Sequence, residues 1–360
     1  MRPMPRFFLW ALVTCAAGCR CPSSKPAAAE RFRKIDVHTH FSVESAQRTL
    51  ELMDAHGLDT VVNLSGGAPG QGLEAEVALA AAHPGRIVVF TNLDWDEART
   101  GEGYGRRLAD QLVHAKAAGA RGLKIAKGLG LAIRDASGQL VRVDDPELDP
   151  LFETAGALNL PIAIHVGDPV AFWQSPTRDN ERFDELSAHP RWSYFGRPVP
   201  SWVELFSALE RRIARHPGTT FISVHFGNAP EDPARVAAQL DRYPNLYVDT
   251  AARVPELGRY PAEKMRQIFL RHQDRILFGT DLGVGVQPSA LMLGSTGAEP
   301  PTPADVERFF SMTWRYFETN DKGFPHPTPI QGRWSIDGIG LPREVLAKVY
   351  AGNAARLLGL

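Results

Sequence analysis

Ile35-Asp36-Val37-His38-Thr39-His40 is the stretch on which the reading of this chain turns. The run over 34–37 reads as a strand, and it closes on two histidines one residue apart. Side chains two apart in a strand point to the same side, so the His38 and His40 imidazoles can meet one ion. By itself the pair is weak evidence, because ordinary hydrogen-bonded histidines produce it as well. Its weight depends on how the other strands end.

Seven further runs read as strands, over 60–64, 87–91, 122–125, 161–166, 219–224, 246–249 and 275–279. Most are nearly continuous apolar segments, the pattern of strands buried on both faces. Three close on groups able to hold a metal: His165 ends the fifth, His225 the sixth and Asp281 the eighth. Between the strands, 44–55, 73–82, 104–118, 147–158, 202–215, 233–243, 261–272 and 342–357 space apolar residues three or four apart, as amphipathic helices do. Eight strands alternating with eight helices predict an α/β fold, a (β/α)8 TIM barrel, with a doubly wound open sheet as the competing architecture. Two connections are long: 167–201 after the fifth strand and 282–341 after the eighth, the second with a helix expected near 303–319. Connections that follow strands lie at the C-terminal face of a barrel, so these insertions are expected to shape the pocket. In a closed barrel the same face gathers His38, His40, His165, His225 and Asp281 at one mouth.

The bulk properties agree with a single barrel. A chain of 360 residues with 44% hydrophobic residues can bury a large core. A formal net charge of -1 and the lack of a Lys/Arg run give nucleic acid or an anionic membrane nothing to be attracted to, which leaves a small-molecule substrate. Cys15, Cys19 and Cys21 all precede residue 22, so the body can hold neither a disulfide nor a thiolate zinc site. Any metal must be bound by His, Asp, Glu or a modified Lys. The oligomeric state is open, and a homo-oligomer is compatible with the sequence.

The N-terminus reads as an export signal. Arg2 and Arg6 precede an apolar stretch over 7–18 that is too short to span a bilayer. Ala16-Ala17-Gly18-Cys19 resembles the lipobox of bacterial lipoproteins, with Ala16 where Leu is commoner. This implies a signal peptide over 1–18, lipidation of Cys19, a tether over 19–31 and one domain over 32–360, anchored to a membrane by lipid on the periplasmic or cell-surface side. A plain signal peptide cut elsewhere and a cytoplasmic protein behind a misassigned start are the alternatives.

Taken together, these segments resemble the amidohydrolase superfamily, in the amidohydrolase-2 branch that includes aminocarboxymuconate-semialdehyde decarboxylase. The resemblance runs from about Ile35 to Leu360. It rests on Asp36-Val37-His38-Thr39-His40, Gly122-Leu123-Lys124, Pro161-Ile162-Ala163-Ile164-His165, Val224-His225-Phe226-Gly227, Val248-Asp249-Thr250, Leu277-Phe278-Gly279-Thr280-Asp281 and Gly352-Asn353-Ala354-Ala355-Arg356-Leu357-Leu358, all in the family's order. The resemblance implies that His38, His40 and His165 are metal ligands, that Asp281 contacts the metal or its water, and that His225 assists catalysis or binds a second ion. Lys124 falls where two-metal relatives carry a carboxylated bridging lysine, although one-metal members share Gly-Leu-Lys. One divalent metal is therefore expected, zinc first with manganese or iron compatible, and Lys124 is assigned to substrate or a second metal. Three neutral imidazoles leave the ion's charge largely uncompensated, so it can acidify water, with Asp281 as proton acceptor and His225 as stabiliser of developing negative charge.

Other residues have plainer readings. His56, His83 and His216 end predicted helices, and His114 and His272 are expected to face outward from theirs. His189 and His326 precede prolines in the insertions. Arg253, just after the seventh strand, suits either a substrate carboxylate or a surface salt bridge. Trp173, Arg178, Trp192 and Arg197, with Trp314, Tyr316 and Phe317, are expected mainly to pack the insertions onto the barrel. Ser65-Gly66-Gly67 lacks the spacing of a phosphate loop and reads as a turn. The function that follows is metal-dependent hydrolysis of a small amide, ester or lactone. Non-oxidative decarboxylation of a small aromatic or unsaturated acid is the alternative, and a non-catalytic surface binding protein on the same barrel is a second.

Overall fold

The computed structural model describes Met1, residues 31–297 and residues 299–360. The expected signal peptide, the expected lipidation site Cys19 and the expected tether lie outside the described residues, apart from Met1 and Arg31. Two compact units divide the chain, Met1–Arg31 and Phe32–Leu360. No helix among the described residues is long and apolar enough to cross a membrane.

Eight short strands follow one another in parallel: β1 Ile35–Phe41, β2 Thr60–Asn63, β3 Ile87–Thr91, β4 Gly122–Ile125, β5 Ile162–Ile164, β6 Phe221–Ser223, β7 Leu246–Asp249 and β8 Ile276–Leu277. Two more strands, β9 Leu282–Val284 and β10 Leu291–Leu293, extend the sheet beyond β1. The order is β10-β9-β1-β2-β3-β4-β5-β6-β7-β8. Two backbone bonds join β1 to the segment that leaves β8: Val37 N–H donates to Phe278 O at 3.0 Å and Asp281 N–H to His38 O at 2.9 Å. The result is a mixed α/β fold around a curled, mainly parallel sheet, consistent with a TIM barrel.

Alternation along the strands separates two apolar layers. Val37, Val62, Val88, Phe90, Ala163, Ile222 and Leu277 belong to one cluster, which Ala354 and Leu358 join. Their strand neighbours Val61, Val89, Ile162, Ile164, Phe221 and Ile276 belong to a larger cluster with the helices. A period of two with both faces buried is what a parallel sheet wrapped in helices requires. Helices Leu73–Ala82, Tyr104–Ala118 and Trp202–Arg215 form at their expected bounds. Ser201 and Glu204 close a capping box at the start of the last of these.

The structure corrects several boundaries. The sixth strand stops at Ser223, because His225 and Phe226 adopt left-handed backbone at φ 55 and 53. The eighth is confined to Ile276–Leu277, and Leu282–Val284, expected to begin an insertion, returns as a strand against β1. The helix expected over 342–357 is interrupted by a π-turn at Lys348–Gly352, where Val349 O accepts from Phe278 N–H at 3.0 Å instead of serving only the helix. His272, expected on the outside, is buried. Helix Pro303–Glu318 forms where the sequence placed one.

Candidate metal centre

Left-handed backbone concentrates where the strands end. Of the six non-glycine residues with positive φ among the described residues, five are His225, Phe226, Asn228, Ala252 and Asp281. They follow β6, β7 and β8. Such conformations cost about 1–3 kcal/mol each and persist where the surrounding structure over-determines them. At Asp281 the φ of 63 turns the chain out of β8. Gly279 permits that turn to sit close, since a Cβ there would stand 3.1 Å from the His38 Cβ.

The turn places the Asp281 carboxylate between two imidazoles. Its Oδ1 lies 3.5 Å from His38 Nε2 and 3.5 Å from His40 Nε2. Two donors each about 2.1 Å from one ion at a tetrahedral angle are about 3.4 Å apart, so this spacing fits a single cation held by all three. His38, His40 and Asp281 accordingly form a group able to hold a metal, and His38, His225 and Asp249 form another that shares one residue. The His225 ring lies 4.7 Å from that of His38 and 4.4 Å from that of His165, measured between centroids. All five expected residues therefore converge, although His165 reaches the group through His225.

Each imidazole has a nitrogen anchored by an oxygen of the protein. His38 Nδ1 bonds Asp249 Oδ2 at 2.8 Å, His225 Nδ1 bonds Ala251 O at 2.9 Å, His165 Nε2 bonds Gly167 O at 3.1 Å, and His40 Nδ1 bonds Ser65 Oγ at 2.7 Å. A carbonyl or carboxylate accepts the ring N–H, which leaves the opposite nitrogen of His38, His225 and His165 with its lone pair. That is how protein metal sites fix a tautomer. Burial lowers the basicity of His38, and of His165 and His225 much further, and the Lys124 charge adds to the first two. These imidazoles are therefore neutral, as ligands must be. At Asp281 burial raises the carboxyl pKa, but the hydrogen bond from His40 and the surrounding imidazoles outweigh it and hold the group below the usual carboxylate range.

Lys124 is also in the group, with Nζ 3.4 Å from His38 Nε2. Burial pushes its ammonium pKa down to about 8, against the attraction of Asp249 and Asp281. Arg253 corrects the surface reading: it is buried and pairs with Glu256, Nη1 to Oε1 at 3.3 Å.

Beneath the histidines lie carboxylates that the sequence reading left without a role. Asp249 Oδ1 accepts the His225 N–H at 2.7 Å and the Ala251 N–H at 3.1 Å while Oδ2 holds His38. Asp36 accepts the His38 and Thr280 N–H groups, both at 3.0 Å, and the Thr280 hydroxyl at 2.5 Å. Ser65 was assigned to a turn, yet its hydroxyl steadies His40. Asp249 ends its strand as His165 nearly does, so the strand-end criterion applied without regard to residue type finds it. Asp168, 3.8 Å from His165 Nε2, accepts from Lys127 Nζ at 2.8 Å and Tyr194 Oη at 3.1 Å. Among the aromatics, Trp173 packs on Tyr194 and Trp192 stacks on His189.

Residues 35–360 match the amidohydrolase family. No match was found among curated proteins. Several solved structures share the fold at low identity. The dihydroxybenzoic acid decarboxylase from Polaromonas sp. JS666, with bound manganese and the inhibitor 2-nitroresorcinol, aligns at TM-score 0.54 and 16% identity over 92% of this chain and 98% of that one. The 2,6-dihydroxybenzoate decarboxylase from Rhizobium aligns at 0.52 and 16%, over 91% and 99%. A probable 2-pyrone-4,6-dicarboxylic acid hydrolase from Acinetobacter baumannii, with citric acid bound, aligns at 0.50 and 13%, over 91% and 100%.

Proposed function

Because the chain belongs to the amidohydrolase family and is a metal-dependent enzyme, we propose that it hydrolyses a small amide, ester or lactone. His38, His40, His165 and Asp281 would hold one divalent ion, zinc first, with manganese or iron also suited to imidazole and carboxylate. When bound, such an ion supplies Lewis-acid polarisation of water or of a substrate oxygen. We take the curled sheet as a (β/α)8 barrel whose segments 167–201 and 282–341 shape its mouth.

The observation that carries hydrolysis is the position of Asp281. Its Oδ1 sits 3.5 Å from a ring nitrogen of each of His38 and His40, where it would meet a water on an ion held by the three and take its proton. His225 spends its N–H on Ala251 O and offers a lone pair from its other nitrogen, so it orients a water or a donor group. Lys124 now bonds the His38 lone pair that a cation would take, and once displaced its ammonium is free to meet a developing oxyanion.

Decarboxylation is the second reading. What favours it is the buried ammonium of Lys124, a partner for a substrate carboxylate, together with two decarboxylases among the structures of similar fold. A screen of metal-loaded protein against esters, lactones, amides and hydroxylated aromatic acids separates the two. Hydrolysis predicts acid release that a chelator abolishes, with no CO2. Release of CO2 from the aromatic acids without turnover of any ester, lactone or amide would replace the first reading by the second.

A further inference from the structure

Strand β1 carries an extra residue relative to β2. Asp36 stands opposite Val61 and Thr39 opposite Asn63, so three steps along β1 match two along β2. Such a bulge reverses the alternation of side chains beyond it. Ile35 and Val37 belong to the apolar cluster that holds Val62 and Val88, whereas Phe41, in phase with them by count, packs in the cluster with the helices. The same reversal turns His38 and His40 to the mouth. On one side β9 pairs with β1 as far as Phe41. On the other, β2 ends at Asn63.

The Asn63 side chain takes over where the β2 backbone stops. Its Oδ1 accepts the Phe41 N–H at 3.4 Å and the Ser65 N–H at 3.0 Å. Its Nδ2 donates to Phe41 O at 3.0 Å and to Glu76 Oε2 at 3.1 Å. A carboxamide is chemically a peptide group, so it acts as one further rung for β1, with both its donors and both its lone pairs in use. Asn63 is fully buried, and Glu76 beneath it also accepts the Val43 N–H at 2.9 Å. The two residues gripped by Asn63 converge on one contact. Phe41 follows His40 in β1, and Ser65 supplies the hydroxyl 2.7 Å from His40 Nδ1. His40 is the ligand that most needs this support, because its side chain is 29% exposed against 1% for His38 and 15% for His165. Water competes for an exposed hydrogen bond, so the pair persists only where both backbones are fixed.

We propose that Asn63 is a positioning residue of the metal centre, which locks the His40–Ser65 pair so that His40 Nε2 stands ready to share a cation with Asp281. This rests on the reading of His40 as a ligand, and not on which reaction the metal serves.

The test measures zinc binding to the EDTA-stripped full chain, by competition with chromogenic chelators of graded strength. Asn63→Ala is expected to weaken zinc about 10–100-fold in the otherwise unmodified chain. In a His40→Ala background it is expected to change affinity by less than about twofold, because its effect passes through that ring. Ser65→Ala, which removes only the hydroxyl, is expected to weaken zinc and to be silent in the same background. Unchanged affinity in either variant overturns the proposal. So does an equal loss with and without His40, which would make Asn63 a general prop of the sheet. Should Asn63→Ala fail to fold, Asn63→Asp, which keeps the acceptor and loses both donors, is judged by the same cycle. If His40→Ala binds zinc as the unmodified protein does, the ligand assignment itself fails. If His40→Ala loses zinc and Asn63→Ala does not, this proposal alone fails.

Discussion

The carboxylates beneath the metal centre and those paired with Arg253 are finished differently. At the floor, both oxygens of Asp36 and both of Asp249 have donors, drawn from His38, Thr280, His225 and Ala251. Around Arg253, Glu256 and Glu231 each keep one buried oxygen without a partner. An unpaired buried polar group costs about 1–3 kcal/mol, so the second arrangement is retained at the expense of stability. The floor needs nothing but the chain to hold its imidazoles in place. Around Arg253 the chain leaves that pairing incomplete.

The largest effect that would break this contrast is at Asp281. Asp281→Asn keeps the shape and removes the proton acceptor, and we expect turnover to fall about 10²–10⁴-fold with an unchanged circular dichroism spectrum. Turnover preserved in this variant would mean that the ionised carboxylate is not the base.

A smaller effect tests whether the floor sets the histidines in advance. Asp249→Asn weakens the hold on the His38 N–H while preserving its volume. Metal affinity, read by competition with a chromogenic chelator, is expected to drop about 10–100-fold. An unchanged affinity would show that His38 is oriented by something other than Asp249.

The smallest concerns the other side. Burial lowers the His326 pKa from 6.5 to about 4, opposed by its bond to Gly332 O and assisted by the Arg182 charge. The unfolded chain takes up this proton near pH 6.5, whereas the folded protein refuses it until about pH 4. The stability that neutral His326 contributes is thus present above pH 6.5 and lost as pH falls towards 4. Melting curves between pH 7 and 4 should show His326→Gln losing less stability than the unmodified protein. Parallel pH profiles would place His326 outside the strained group.

Much of the site was legible before any coordinates. Strand-end placement singled out His38, His40, His165, His225 and Asp281, because a polar residue closing an apolar run is a local signal. Asp249 was visible by the same rule and escaped because an aspartate after a strand commonly starts a turn. The left-handed turns at His225 and Asp281 were not legible, since neither residue is a glycine and nothing in their neighbours requires positive φ. Arg253 was noticed as a group that could bind a carboxylate, but a helix-starting arginine beside Glu256 reads equally as a surface pair. Only its burial and the sharing of Glu256 with Arg182 separate the two.

The sequence by itself determined the succession of strands and helices and the chemical kind of each ligand, because periodicity and side-chain identity are properties of short segments. The tertiary structure decided which nitrogen of each histidine is held and which polar atoms are left unpaired. Those outcomes depend on partners far along the chain: Asp249 is 211 residues from the His38 it orients, and Thr280 is 244 from Asp36. Whether a buried donor is satisfied depends on how distant segments meet in the curled sheet, which no local stretch of residues specifies.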